Sequence, residues 1–218
     1  NTVTDGIPTE RKFKELVARV INPLEKGDTI VSSLPMSGAF TNALNLNDYS
    51  LTSKLQISIK LTRAVARFDV RNREEITRLI IDSIAMDNGR CTSTMFPIEA
   101  KGESSDPANG LITYPSRSYW GADEHGRRLS AFYSYGSPKD DLGALILIGK
   151  YAINKTETVP VHYRIPFTQI NDGIGGTIEI NHNHRYTVDI LGADEYNAQA
   201  IFTISDWSDS FFRSNTPI

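Results

Sequence analysis

Cysteine is nearly absent from this sequence, Cys91 being the only one in 218 residues. An intrachain disulfide and an all-cysteine metal site are thereby excluded, so packing alone must hold the fold. Excess positive charge is missing as well. Lys and Arg number 23 against 26 Asp and Glu, the net charge is −3, and no cationic run forms. The electrostatic footprint of a nucleic-acid partner is therefore lacking. Long apolar runs are also wanting. The longest, Ala144 to Ile148, lies between Gly143 and Gly149 and falls far short of the ~20 residues that span a bilayer as a helix. No nucleophile elbow, Walker loop or metalloprotease helix occurs. Gly173-Ile174-Gly175-Gly176 lacks the Lys-Ser/Thr of a phosphate loop and reads as a turn.

What is present is ordinary for a globular protein, with 39% hydrophobic and 22% charged residues and length enough for one large domain or two small ones. The chain opens at Asn1 rather than Met, which leads to the expectation that upstream residues are removed, either by processing or by deliberate truncation. Residues 10–25 carry helical spacing: Phe13, Leu16, Val17, Val20, Ile21 and Leu24 share one face. Thr9 is placed to cap the start, and Asn22-Pro23 and Gly27 mark the end. Everything after this predicted helix reads mainly as strands and turns.

From Leu55 to Val70 apolar residues alternate, with a change of parity. Leu55, Ile57, Ile59 and Leu61 keep one phase; Ala64, Ala66, Phe68 and Val70 keep the other. Strand side chains swap faces at every residue, so the change predicts a bulge, a switch of partners or a joint between sheets near Thr62 and Arg63. Further strands are predicted at Leu79–Met86, Leu142–Ile153, Val159–Phe167, Thr177–Ile180, Tyr186–Leu191 and Ala200–Trp207. Val159, Val161, Tyr163, Ile165 and Phe167 form a strict period-two stripe, and Asn154–Thr158 has the length of a hairpin loop. Asp87-Asn88-Gly89 and Asn171-Asp172-Gly173 supply turn chemistry, and residues 104–110 read as a solvated loop. Many short strands and one helix predict a mainly β sandwich protein. Residues 1–70 are too few for a complete sandwich. They are expected to be the remainder of an N-terminal domain, with residues 71–218 as the C-terminal one.

Three groups invite a chemical reading. His182 and His184, two apart on a strand, would share a face, but no further ligand is spaced to complete a metal site; two polar residues on a wet face is the plainer reading. Asp123-Glu124-His125 and Asp140-Asp141 are acidic clusters without the evident pairing a glycosidase requires, and read as charged loops. The third group is aromatic. Tyr114, Tyr119, Trp120, Phe132, Tyr133 and Tyr135 crowd one stretch, interleaved with Arg117, Arg127 and Arg128. Tyr, Trp and Arg anchor interfaces and stack on sugars when exposed. Tyr114, Arg117, Tyr119, Trp120, Tyr133 and Tyr135 are thus the candidate adhesive surface, while Phe132 and some tyrosines can equally complete a core. At the end, Phe211, Phe212 and Ile218 form an apolar tail, either a frayed terminus or a strand offered to another subunit.

Arg63-Ala64-Val65-Ala66-Arg67-Phe68-Asp69-Val70 resembles a segment of the fimbrillin superfamily of Bacteroides-type (type V) fimbriae. So do Leu34-Pro35-Met36-Ser37-Gly38 upstream, Tyr163-Arg164-Ile165-Pro166-Phe167, Asn183 to Gly192, and the final strand ending at Asp206-Trp207. These segments run in the family's order over about residues 34–207. The resemblance implies two transthyretin-like Greek-key β-sandwich domains, the N-terminal one incomplete here. It also implies export as a lipoprotein precursor and a place in a cell-surface fimbrium at the outer membrane. Assembly would follow by strand donation between fimbrial subunits, after proteolytic removal of an N-terminal strand, with adhesion to a host or bacterial surface protein or glycan as the outcome. No catalysis and no cofactor are expected. A second reading from another class is a secreted carbohydrate-binding module using the aromatics from Tyr114 to Tyr135.

Overall fold

The structure, a computed structural model, describes residues 17–19, 34–38, 57–87, 89, 92–94, 112–115, 118–122, 128–136, 143–171 and 174–207. Three short strands come first: β1 (Val17–Arg19), β2 (Met36–Ser37) and β3 (Thr62–Arg63). Then follow β4 (Val65–Asn72), helix α1 (Glu74–Thr77), β5 (Leu79–Asp87), β6 (Thr92–Thr94), β7 (Ile112–Pro115), β8 (Ser118–Ala122) and β9 (Arg128–Tyr135). The chain continues through β10 (Ala144–Ala152), β11 (Thr158–Pro166), β12 (Thr168–Asn171), β13 (Ile174–Thr177), β14 (His184–Ala193) and β15 (Ala198–Asp206). Among the described residues no helix is long and apolar enough to cross a membrane.

Two sheets make the body, one with order β15-β14-β4-β9-β8 and one with order β11-β10-β5-β7. The chain passes from β4 in the first to β5 in the second, returns for β9, crosses again to the β10–β11 hairpin, and returns for β14–β15. The result is a β-sandwich, as the strand pattern predicts. β4 is its central strand, parallel to β14 and antiparallel to β9. Its period of two divides it cleanly. Ala66, Phe68 and Val70 enter the main core, while Arg67, Asp69 and Arg71 have the opposite parity. Phe68 is the centre of that core, stacked on Phe132 and on Tyr186 with ring centroids 5.0 Å away in each case. Phe167 tilts against Phe68 at 5.7 Å and meets Phe202 edge-on.

The β10–β11 hairpin follows its sequence closely. Val161, Tyr163 and Ile165 are buried, and His162 and Arg164 between them are exposed. Its turn is closed by Asn154, whose Oδ1 accepts the backbone N–H groups of Thr156 and Glu157 at 3.0 Å, the local bond that favours Asn in turns. Gly149 sits where the β5–β10 register shifts. A Cβ there would lie 2.0 Å from the Ile80 carbonyl oxygen, so only glycine permits this approach of the two backbones.

Several expectations need correction. Val17–Arg19, inside the predicted helix over residues 10–25, is a strand paired with Thr92–Thr94; the rest of that prediction lies outside the described residues. Val17 is β-branched, and its neighbours Val20 and Ile21 are too, so the same apolar set also suits a strand once a partner exists. Among the described residues the short helix is α1, ended by Arg78 in the left-handed region at φ 57°. Residues 57–61 form no ladder, and Ile57, Ile59 and Leu61 are exposed. β13 ends at Thr177, short of the predicted Ile180. Val70, the last residue of the expected N-terminal part, lies within β4.

Candidate functional site

The chain changes sheets where its alternation changes parity. Thr62 and Arg63 pair with Ser37 and Met36; Ala64 bends, and Val65 begins the central strand of the sandwich. At this joint Arg63 is the connecting residue. Its guanidinium lies 4.4 Å from the Trp207 ring centroid and donates to Asn183 Oδ1 at 3.3 Å and to the Trp207 carbonyl at 3.4 Å. Tyr133 also stacks on the indole, at 5.7 Å with 13° between the planes. Arg63, Trp207 and Tyr133 thus form a three-part clamp of cation–π and stacking contacts. Ala64, Val65 and Tyr135 complete a small second core with Trp207, with Leu34 packed against it.

Asn183 ties the same joint through its backbone. It stands at φ 55°, a region Asn tolerates better than most residues. Its N–H donates to the Val65 carbonyl at 2.9 Å, and its carbonyl accepts from Trp207 N–H at 3.0 Å. The Ala64 N–H donates to the Pro35 carbonyl at 2.8 Å. Segments around residues 35, 64, 183 and 207 are therefore fastened at one end of the sandwich.

Asp69 builds the polar side of β4. It is wholly buried, accepts from Arg67 Nε at 2.8 Å, and forms an ion pair with Arg185 on β14. Two residue pairs further along the ladder, Arg71 and Asp189 approach to 3.9 Å. The parallel β4–β14 ladder places Arg185 beside Arg67 and Thr187 beside Asp69, so the carboxylate compensates two adjacent guanidinium groups. Tyr186, on the other face of β14, holds the connection before it. Its hydroxyl donates to the Glu179 carbonyl at 2.8 Å and accepts from Asn181 N–H at 2.7 Å, and burial pushes its pKa up to about 12.

The residues singled out from sequence are divided by the fold. Tyr114 lies on β7, opposite Ile84 in one sheet, while Tyr119 and Trp120 lie on β8, at an edge of the other. Tyr133 is half-buried in the clamp, and Tyr135 is completely buried, its desolvated hydroxyl raised well above the usual phenol range. Tyr135 therefore belongs to the interior. Arg117, the acidic clusters at 123–125 and 140–141, and the tail residues Phe211, Phe212 and Ile218 lie outside the described residues. His182 is in a turn rather than on a strand. The His184 ring sits 2.8 Å from the His182 carbonyl and 3.4 Å from Asp206; among the described residues no three metal-ligating side chains gather. Burial, and secondarily His184, holds the His182 imidazole below its ordinary pKa.

The outer edges of the two sheets differ. β11, at one margin, carries Pro160 and Pro166, which remove edge N–H donors. β15 ends the other sheet, runs nine residues without proline, and among the described residues pairs only with β14.

The sandwich is similar in fold to a solved fimbrial protein. The tip fimbrial protein Mfa3 from Porphyromonas gingivalis, solved with a C-terminal truncation, is similar to the chain at a TM-score of 0.60 and 15% identity. That similarity covers 90% of this chain and 72% of that one. A candidate cell adhesion protein from Bacteroides ovatus overlaps more loosely, at a TM-score of 0.42 and 6% identity over 84% of this chain and 65% of its own. A candidate adhesin from Bacteroides thetaiotaomicron gives 0.39 and 12% over 89% and 66%. The likeness to the tip protein is one of fold. No protein-family model and no curated protein sequence matches the chain.

Proposed function

We propose that the protein is a non-enzymatic subunit of a bacterial surface fimbria and supports cell adhesion. The observation that carries this reading is the shared fold with a tip fimbrial protein over 90% of the chain. The protein reaches the outer membrane as a lipoprotein precursor and joins other fimbrial subunits by strand donation. In this reading the β15 edge is a receiving site. It offers a long, proline-free row of backbone donors and acceptors, the feature that lets an extended segment add to a sheet. The seam between the N-terminal remainder and the C-terminal sandwich lies at Ala64, where the chain leaves the β2–β3 ladder for β4. The adhesive contacts fall to Tyr119 and Trp120 on β8, with the tail around Phe211 and Phe212 as the segment offered to a neighbour.

Deleting the gene and scoring fimbriae and adhesion tests the reading. Loss of adhesion, restored by the wild-type gene, is expected, and the Trp120→Ala gene should restore fimbriae but not adhesion. Normal fimbriae together with normal adhesion in the deletion strain would overturn it. Specific glycan binding by purified protein, with no fimbrial defect, would favour a carbohydrate-binding module instead.

A further inference from the structure

Histidine is the side chain that ordinarily changes charge between about pH 5 and 8, and His162, His182 and His184 lie among the described residues. His162 is exposed on β11. The other two flank Asn183, whose backbone fastens the joint. Their surroundings differ. The His184 Nδ1 lies 2.8 Å from the His182 carbonyl oxygen, so Nδ1 carries the proton of that contact, and Nε2 faces Asp206 Oδ1 at 3.4 Å. A proton added to the His184 ring therefore meets an exposed carboxylate. His182 is partly buried and makes no ion pair among the described residues, and burial together with His184 opposes its charging. Its backbone is confined as well. A Cβ on Gly136, just past β9, would lie 3.0 Å from the Ile180 carbonyl oxygen and 3.7 Å from His182 N, and the His182 carbonyl is held by the His184 ring.

The charged groups on the neighbouring elements leave a second cation poorly placed there. Arg63 on β3 donates to Asn183 Oδ1. Arg67 on β4 and Arg185 on β14 share Asp69, so that buried carboxylate is already taken up. Lys60, Glu179 and Asp206 are exposed, where water and salt screen their charge. From β9 come only the phenols Tyr133 and Tyr135 and the Gly136 backbone. We propose that the joint is an acid-opened latch: protonation of His182 releases Asn183, Trp207 and Arg63 together, and the β2–β3 ladder comes away from a sandwich that stays folded. A charged His182 reaches water by carrying the turn at 182–183 outward, and the Asn183 backbone bonds to Val65 and Trp207 go with it. The indole then leaves Arg63, whose contacts with Trp207 and Asn183 tie β3 to the sandwich. The main core, built on Phe68, Phe132 and Tyr186, contains no histidine, so the same proton does not act on it. The latch works within one chain and stands or falls separately from the fimbrial assignment and from strand donation.

Trp120 and Trp207 are the two tryptophans of the chain, so the full chain carrying Trp120→Phe or Trp120→Tyr reports on Trp207 alone. Acrylamide quenching of its fluorescence and far-UV circular dichroism are read together from about pH 7.5 to about pH 5. Quenching is expected to rise severalfold and reversibly on acidification, with the sheet signal unchanged. His182→Asn and His182→Gln, each added to that protein, are expected to hold quenching at its neutral level throughout, and one of them doing so is enough to support the latch. His162→Asn should leave the rise intact. Four results would overturn the proposal: quenching that stays constant in the parent, quenching that rises only as the sheet signal is lost, a rise that disappears in His162→Asn, or a pair of His182 variants that both rise as the parent does or are both quenched already at neutral pH.

Discussion

Asp69 binds two arginines in a place water does not reach, and this makes it sensitive to any loss of charge. Asp69→Asn would remove the buried charge that Arg67 and Arg185 share, and a stability loss of about 3 kcal/mol is expected in urea unfolding. Trp207 is the other sensitive residue. Trp207→Ala removes both the Tyr133 stack and the surface beneath Arg63, with an expected loss of about 3 kcal/mol. Arg63→Lys keeps the charge but not the planar group and should cost about 1 kcal/mol. His182 gives a pH signature. Its pKa is depressed in the folded chain, while an unfolded histidine titrates near ~6.5. Between those values the unfolded chain binds more protons. The stability it contributes is therefore complete above about pH 6.5 and is lost as pH falls through the lower folded value. His182→Asn should flatten that part of the decline, read from unfolding midpoints between about pH 7.5 and 5.

At the scale of elements, Gly149 decides whether β5 and β10 can approach. Gly149→Ala drives a methyl into the Ile80 carbonyl and should cost on the order of 2 kcal/mol, measurable as a lower thermal midpoint with the fold retained. β11, the hairpin partner of β10, was readable because burial alternates strictly along it at Val161, Tyr163 and Ile165. The parity change near Arg63 was readable for the same reason. β7, β8 and β9 were not, because aromatics, glycines, serines and arginines alternate there without a clear apolar phase. The stretch over 10–25 misled because its apolar residues satisfy a helical period, whereas the pairing of Val17–Arg19 with Thr92–Thr94 is set by a distant segment. The clamp was hidden similarly. Arg63 and Trp207 both stand in segments with a family resemblance, but they lie 144 residues apart, and no local period reports their contact.

For the whole molecule, the sandwich is organised around a strand that begins immediately after the joint. Strain or repacking at Arg63, Asn183 and Trp207 therefore reaches β4 directly through the Val65 carbonyl. A fimbrial subunit must function outside the cell and in contact with its neighbours. Immunogold labelling of intact cells with antibody to the purified chain measures this directly. Gold is expected along fimbriae or at their tips, and absent from a deletion strain. Gold confined to permeabilised cells, with fimbriae unlabelled, would contradict the fimbrial assignment.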